Sequence, residues 1–218
     1  MAAVDLVIFD LDGTLVDTAP DIAGALAAAL AEVGVAPPPI AVVTELVGDG
    51  ARVLITRALA LAGVDGNVDA LLARFLAYYR DHVSDRSVVY DGVNEALETL
   101  ARAGIATAVV TNKAGDIARR LLADLGLKDR FRIVIGDGDG YARKPDPAAA
   151  NAVMALVGTR PERTVVVGDG VPDARMARAA GARAIAALWG YAAAEKLAAE
   201  RPDAMARTVA EVVGVVVG

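Results

Sequence analysis

Two aspartates stand at the end of the first apolar run of the chain, and their spacing points to chemistry. The run covers residues 4–9 and is followed at once by Asp10 and, two positions on, by Asp12. Residues i and i+2 of an extended chain point to the same side, so both carboxylates can reach one small volume. Like charges that close require a cation or a shared proton. Mg²⁺ suits such a site, because this hard cation takes carboxylate, carbonyl and phosphate oxygens.

Three later apolar runs also end in polar residues. The groups that follow them are, in chain order, Thr111 with Asn112, Lys144 after a glycine-rich loop, and Asp169 with Asp173. The carboxyl ends of parallel strands share one edge of a sheet, where ligands bind, so these groups are expected to converge. Phosphoryl transfer requires such a set of groups. Acids bind a cation, a hydroxyl and amides bind the phosphate anion, and a lysine neutralises negative charge.

Taken singly, each of these residues also has an ordinary structural interpretation. The Asp-Gly pair at residues 12–13 is a common turn. Lys144 could be a solvated loop residue, Thr111 could cap a strand end, and Asp173 could be the first polar residue of a helix. Single residues do not decide between the two interpretations, whereas four groups in order after four predicted strands favour a common site.

The elements that must position these groups alternate between strand and helix. Short apolar runs at residues 105–110, 131–135, 164–167 and 182–186 are separated by segments with helical spacing. This alternation predicts an α/β fold with a Rossmann-like core, whose parallel sheet has right-handed crossovers. The tail, residues 208–217, is predicted to form a terminal helix, although its Val-Val-Gly-Val-Val-Val stretch would fit an extended strand equally well.

Residues 19–84 differ from the rest, because they show only helical periodicity. Thr18 and Asp21 are spaced as a capping box, which predicts the start of the first helix there. The contrast predicts an all-helical cap domain over residues 17–87, inserted into a core of residues 1–16 and 88–218. Insertions at the carboxyl ends of strands lie above the ligand crevice, so this one is expected to act as a lid.

Composition narrows the class of protein. The 218 residues are 56% hydrophobic, carry a net charge of −6 and include no cysteine. No apolar stretch approaches the roughly 18 residues of a membrane span, and no targeting segment is visible, so a soluble, cytoplasmic protein without a membrane partner is expected. The acidic balance and the lack of long basic runs argue against nucleic acid. The single histidine, His82, is expected to be solvated.

The string Asp-Leu-Asp-Gly-Thr-Leu-Val-Asp at residues 10–17 resembles the first signature of the haloacid dehalogenase superfamily of phosphohydrolases. Thr111 resembles the second signature, Lys144 in Arg-Lys-Pro-Asp-Pro the third, and Asp169 with Asp173 the fourth. The resemblance covers essentially the whole chain, including a helical cap. Gly170 stands where many members carry serine, so one hydroxyl near the site is missing.

The resemblance implies a role for each matched residue. Asp10 would attack phosphorus and form an aspartyl-phosphate. Asp12 would protonate the leaving alkoxide and then deprotonate the attacking water. Thr111, the Asn112 amide and Lys144 would hold the phosphate.

The resemblance also implies a Mg²⁺ cofactor. Its ligands would be Asp10, the main-chain carbonyl of Asp12, and Asp169, with Asp173 supporting them. The presence of Asp12 argues against the dehalogenase branch, which lacks this acid because a halide leaves without a proton.

For the substrate, the opening motif and the Val-Gly-Asp-Gly-Ala-Arg segment are similar to those of phosphoglycolate phosphatases with a helical cap. Gly48, Gly50 and Arg52 could bring amides and a guanidinium to a substrate carboxylate, whereas the simpler interpretation of Arg52 is a solvated helix residue. Lys113 is expected to be exposed, and Tyr79 is expected to be a packing residue.

The expected partner is a small anionic phosphate ester. A pyrophosphatase, a sugar-phosphate phosphatase and, less favoured, a β-phosphoglucomutase-like mutase remain alternatives on the same scaffold. The sequence leaves open whether the protein is a monomer or a homodimer.

Overall fold

The structure is a computed structural model that describes residues 3–218. Its strands are β1 (Leu6–Phe9), β2 (Val16–Asp17), β3 (Val88–Val89), β4 (Ala106–Ala114), β5 (Val134–Asp137), β6 (Thr164–Gly168), β7 (Arg183–Ala187) and β8 (Ala204–Ala206). One parallel sheet has six strands in the order β5-β4-β1-β6-β7-β8. The remaining two, β2 and β3, form an antiparallel ribbon. The α/β class with a parallel sheet is thereby confirmed.

Strand β1 occupies the middle of the sheet, as its apolar sequence requires. Its last residue, Phe9, pairs with Val109 of β4 on one side and with Val167 of β6 on the other. The next amide, that of Asp10, donates to the carbonyl of Val167 at 2.9 Å. Asp10 therefore emerges between two neighbouring strands at the carboxyl edge of the sheet. This is the topological switch point, where the order of strand addition changes direction, and ligands bind at this position in open α/β sheets.

Helices surround the sheet. They are α1 (Ala19–Leu30), α2 (Ile40–Leu46), α3 (Ala51–Ala62), α4 (Val68–Asp81), α5 (Val93–Arg102), α6 (Gly115–Asp124), α7 (Ala148–Val157), α8 (Val171–Ala179), α9 (Ala194–Ala199) and α10 (Val209–Val217). Alternation along β1 sends Val7 and Phe9 to one face, in a cluster with α5, α6 and α10, and Leu6 and Ile8 to the other, with α7 and α8. The result is a three-layer core.

Helices α1 to α4 follow one another between β2 and β3 and pack mainly on each other, α1 against α4 and α2, and α3 against α4. Each buries one apolar stripe, as Leu71, Phe75 and Tyr79 do on α4. Asn67 caps α4 by accepting from the amides of Asp69 and Ala70. The chain enters and leaves this helical segment through the ribbon of β2 and β3, where Val16 pairs with Val89.

The expected capping box at the start of α1 does not form. Thr18 occupies the N-cap position, but its hydroxyl donates to the carboxylate of Asp12 at 2.7 Å. Asp21 is buried and accepts instead from the amides of Arg86 and Ser87 and from the Ser87 hydroxyl. Both side chains thus bind residues outside the first turn of α1. Asp21, near the start of the helical segment, binds Arg86 and Ser87 at its end.

Other differences from the expected elements are local. Strand β4 runs on to Ala114, well beyond the apolar run that predicted it. The predicted terminal helix is present as α10, and the side chain of His82, which was expected to be solvated, is 42% exposed. Over residues 3–218, the helices are all too short or too polar to cross a membrane.

Candidate active site

The ammonium group of Lys144 lies between two buried carboxylates at the carboxyl edge of the sheet. Its Nζ atom is 2.7 Å from Oδ1 of Asp10 and 2.7 Å from Oδ1 of Asp173. Only 2% of the lysine side chain is exposed. Burial alone lowers the pKa of Lys144, but the charges of Asp10 and then Asp173 outweigh it and raise the pKa above its usual value. Lys144 is therefore a fixed positive charge at Asp10.

A third buried carboxylate, that of Asp169, completes an acidic cluster. Carboxylate oxygens of Asp10, Asp169 and Asp173 lie within 4.8 Å of one another. Burial first, and then the charge of Asp10, raise the pKa of Asp169 to about 7 and that of Asp173 to about 7. Acids held so close together in a buried place require a cation to ionise together, so the residues present fit a divalent metal ion.

Hydrogen-bond donors hold the carboxylates of Asp169 and Asp173 in place. The Thr14 hydroxyl donates to Oδ1 of Asp169 at 2.8 Å, and the amide of Tyr191 donates to Oδ2 at 2.8 Å. Asp173 receives Lys144 on Oδ1 and the amide of Gly170 on Oδ2 at 3.1 Å. Asp173 thus belongs to the oxygen cluster and also braces the lysine.

Thr111 and Asn112 are buried at the end of the neighbouring strand β4. The Asn112 side chain donates to the carbonyl of Gly48 at 2.9 Å and accepts from the amide of Lys144 at 2.9 Å. It therefore joins the helical segment and the Lys144 loop to β4. The hydroxyl of Thr111 accepts from the amide of Lys113 at 3.2 Å.

Asp12 lines the same cavities as Asp10 and forms an ion pair with a different lysine, Lys113. Its Oδ1 atom accepts from the Thr18 hydroxyl at 2.7 Å and from Nζ of Lys113 at 2.7 Å. Lys113 was expected to be exposed, and this is wrong, because its side chain is 4% exposed and its Nζ also lies 2.5 Å from the hydroxyl of Tyr79. Tyr79 is therefore a polar partner as well as a packing residue.

Two cavities meet at Asp10 and Asp12. An inner one of about 90 Å³ extends between β4 and the helical segment, and apolar side chains such as Leu54, Leu72 and Phe75 form much of its wall. An outer one of about 520 Å³ reaches toward Tyr191 and α9.

Of the three predicted specificity residues, Gly48 lines both cavities and Gly50 lines the inner one. Arg52 lines neither, and its half-exposed guanidinium forms an ion pair with Asp69. The physical reason is helical geometry, because Arg52 stands two positions, or about 200°, from Leu54 on the inward face of α3.

Sequence reasoning gave no role to three other residues of this region. Arg143 lines the inner cavity and pairs with Asp137 at 2.5 Å, although its place before Lys144 in the Arg-Lys-Pro motif could have drawn notice. Arg57 lines the outer cavity and pairs with Asp49 at 2.6 Å. Tyr191 accepts from the amide of Thr18 at 2.8 Å, a contact across the fold that has no local sequence signal.

Three features together are typical of one class of hydrolase. They are an Asp-Leu-Asp motif after strand β1 of a parallel α/β sheet, a lysine paired with the first aspartate, and a buried acid directly after the neighbouring strand β6. The family model described as haloacid dehalogenase-like hydrolase matches residues 7–187, and the chain belongs to this family.

Within the family, the chain is similar to phosphoglycolate phosphatases. The phosphoglycolate phosphatase of Agrobacterium fabrum is 46% identical over 145 residues, which are 65% of this chain and 62% of that protein. That of Caulobacter vibrioides is 41% identical over 152 residues, 68% of this chain and 64% of that protein. The chain thus spans somewhat less than two thirds of the length of these curated relatives.

A solved structure shows the same architecture. The crystal structure of a protein described as a predicted phosphoglycolate phosphatase from Haemophilus somnus superposes with a TM-score of 0.91 at 29% identity, covering 99% of each chain.

Proposed function

We propose that the chain is a Mg²⁺-dependent phosphatase that hydrolyses a small phosphate monoester through an aspartyl-phosphate on Asp10, and that 2-phosphoglycolate is a substrate. The observation that carries this proposal is the contact of 2.7 Å between Lys144 Nζ and Asp10 Oδ1, inside a cluster of buried acids. Family membership and the similarity to phosphoglycolate phosphatases support it.

In the proposed reaction, a carboxylate oxygen of Asp10 attacks phosphorus and the ester P–O bond breaks. Asp12 gives its proton to the departing alkoxide oxygen, then takes a proton from the water that attacks phosphorus and releases phosphate from Asp10. Oδ1 of Asp10 is already held by Lys144 and by the amide of Leu11 at 2.7 Å. These two donors fix the carboxylate before the substrate arrives, which is the positional part of the catalysis.

The phosphoryl oxygens would be bound by the Thr111 hydroxyl, the Asn112 amide and Lys144, as matched by motif. Mg²⁺ would be held by Asp10, the Asp12 main-chain carbonyl and Asp169, and it would neutralise phosphoryl oxygens and acids together. Asp173 would keep Lys144 in place, since its carboxylate lies 2.7 Å from the lysine.

Residues 17–87 would form the cap of this enzyme, and residues 1–16 and 88–218 its core. Support comes from Gly48, which lines both cavities and accepts from the Asn112 side chain of the core. The inner cavity, of about 90 Å³, lies between this segment and strand β4, so the segment contributes to the wall around Asp10 and Asp12.

A phosphate-release assay over a panel of phosphate compounds, two esters and one anhydride, tests the proposal. The panel contains 2-phosphoglycolate, inorganic pyrophosphate and glucose 1-phosphate, each with Mg²⁺ or with EDTA. We expect release from 2-phosphoglycolate that requires Mg²⁺. Preferred turnover of pyrophosphate, or conversion of glucose 1-phosphate to the 6-phosphate, would replace this substrate by another, and no turnover of any ester would remove the proposed activity.

A further inference from the structure

Lys113 is a buried lysine to which the chemistry proposed above gives no role. It follows Thr111 and Asn112 on β4, and its side chain is 4% exposed. Burying an ammonium group costs several kcal/mol unless charged or polar partners surround it. The partners of the Lys113 ammonium group must therefore compensate the cost of burying it.

The first partner is Asp12, the proposed proton donor. Lys113 Nζ and the Thr18 hydroxyl both bind the same oxygen, Oδ1 of Asp12, each at 2.7 Å. Within the part of the chain that the structure describes, no protein donor is recorded on the second oxygen, Oδ2. Asp12 lines both cavities, so this arrangement fixes the carboxyl group through one oxygen and leaves the other for a reacting group.

The second partner is Tyr79, which belongs to α4 in the helical segment. Its hydroxyl accepts from Lys113 Nζ at 2.5 Å, and the ammonium lies 4.4 Å from the ring centroid. The ring is itself set by an edge-to-face contact with Phe75, at 5.6 Å between centroids. The position of the ammonium is thus defined from the helical segment as well as from the sheet.

Asp12 needs such an anchor because other acids lie close by. Asp10 lines the same two cavities as Asp12, and Asp169 lines one of them, so like charges would push an unanchored Asp12 carboxylate away. A general acid works only when its oxygen reaches the leaving oxygen, and displacement by about 1 Å can cost roughly 100-fold in rate.

We propose that Lys113, held by Tyr79, is a positioning residue that orients the Asp12 carboxyl group toward the oxygen of the leaving alcohol. The proposal rests on the proposed role of Asp12 as proton donor. It assigns to Lys113 neither contact with the substrate nor a purely structural ion pair between helix and sheet.

The test compares Lys113→Met and Tyr79→Phe on three esters. 2-Phosphoglycolate and ethyl phosphate release alkoxides that need a proton, whereas p-nitrophenyl phosphate releases a stable phenolate that does not. The measured quantity is kcat/KM, which reports steps up to departure of the alcohol. The matched controls are Lys128→Met, on an exposed lysine, and Tyr78→Phe, whose ring stacks on His82 outside the site.

We expect Lys113→Met to lower kcat/KM about 10- to 100-fold for both alkyl esters and less than about threefold for the aryl ester. Tyr79→Phe should give a smaller loss with the same preference, and it carries the test if Lys113→Met does not fold. In an Asp12→Asn background, Lys113→Met should cause no further loss, because the group it positions is gone.

Two other patterns would overturn the proposal. An equal loss on all three esters, together with a lower melting temperature, would show a structural ion pair. A loss confined to 2-phosphoglycolate and expressed in KM would show that Lys113 binds the substrate carboxylate. Failure of the proposed function looks different, because the unmodified protein would then release phosphate from none of the esters.

Discussion

The ammonium nitrogen of Lys144 lies 2.7 Å from Oδ1 of Asp10, although 134 positions separate the two residues in the chain, and both side chains are buried. A carboxylate that is to attack phosphorus must approach a dianion, and a buried positive charge beside it reduces that repulsion. The same ammonium also contacts Asp173, so the lysine is held from two sides.

Replacing Lys144 by methionine keeps most of the volume and removes the charge. We expect kcat/KM to fall about 10²- to 10³-fold, the usual effect of losing one donor to the reacting group. Lys128→Met, at an exposed position, serves as the control and should match the unmodified protein. Retention of activity within a few-fold in Lys144→Met would contradict the role given to this lysine.

The acidic cluster predicts how the stability of the metal-free protein depends on pH. The pKa values of Asp169 and Asp173 are raised from 3.8 to about 7, so the folded protein binds more protons than the unfolded chain between about pH 4 and 7. Their contribution to stability is present below about pH 4 and is lost as the pH rises through about 7. Thermal melts in EDTA across this range, compared with Asp173→Asn, measure the effect.

Mg²⁺ should reverse that trend, because it binds the ionised carboxylates. We expect Mg²⁺ to raise the melting temperature by several degrees near pH 8 and by much less near pH 5, where the acids are protonated. A stabilisation of the same size at both pH values, or none at either, would argue against a metal ion among these carboxylates.

Removing the Tyr191 hydroxyl should lower the stability of the folded protein whether or not metal is bound. Its hydroxyl accepts from the amides of Thr18 and Ala19, at 2.8 and 3.0 Å, and donates to Asp17 at 2.9 Å. Tyr191→Phe leaves amides at the start of α1 without this acceptor, at a cost of about 1–3 kcal/mol. The melting temperature should fall by roughly 2–10 °C, while Tyr141→Phe, at an exposed position, should change it little. An unchanged melting temperature in Tyr191→Phe would show that water replaces the hydroxyl at no cost.

The main elements could be predicted from the sequence because their signals are local. The apolar runs of β1 and β6 and the helical spacing of Leu71, Phe75 and Tyr79 each depend on residues a few positions apart. The strands β2, β3 and β8 were not predicted, since two or three residues carry no periodicity.

The sequence predicts only part of the candidate site. Motif spacing was enough to expect Asp10, Lys144 and Asp169 at one edge, and the structure brings them together. It was not enough for Lys113, since the burial of a lysine depends on partners that are distant in the chain, Asp12 by 101 positions and Tyr79 by 34. A local pattern cannot reveal such partners.

The most direct test of covalent catalysis by Asp10 is to trap the intermediate. The protein is treated with sodium borohydride during turnover of 2-phosphoglycolate with Mg²⁺, which reduces an aspartyl-phosphate to homoserine, and the peptide carrying residue 10 is examined by mass spectrometry. We predict homoserine at position 10, and none in Asp10→Asn or without substrate. Steady phosphate release with an unreduced Asp10 in that peptide, or near-full activity of Asp10→Asn, would contradict the account.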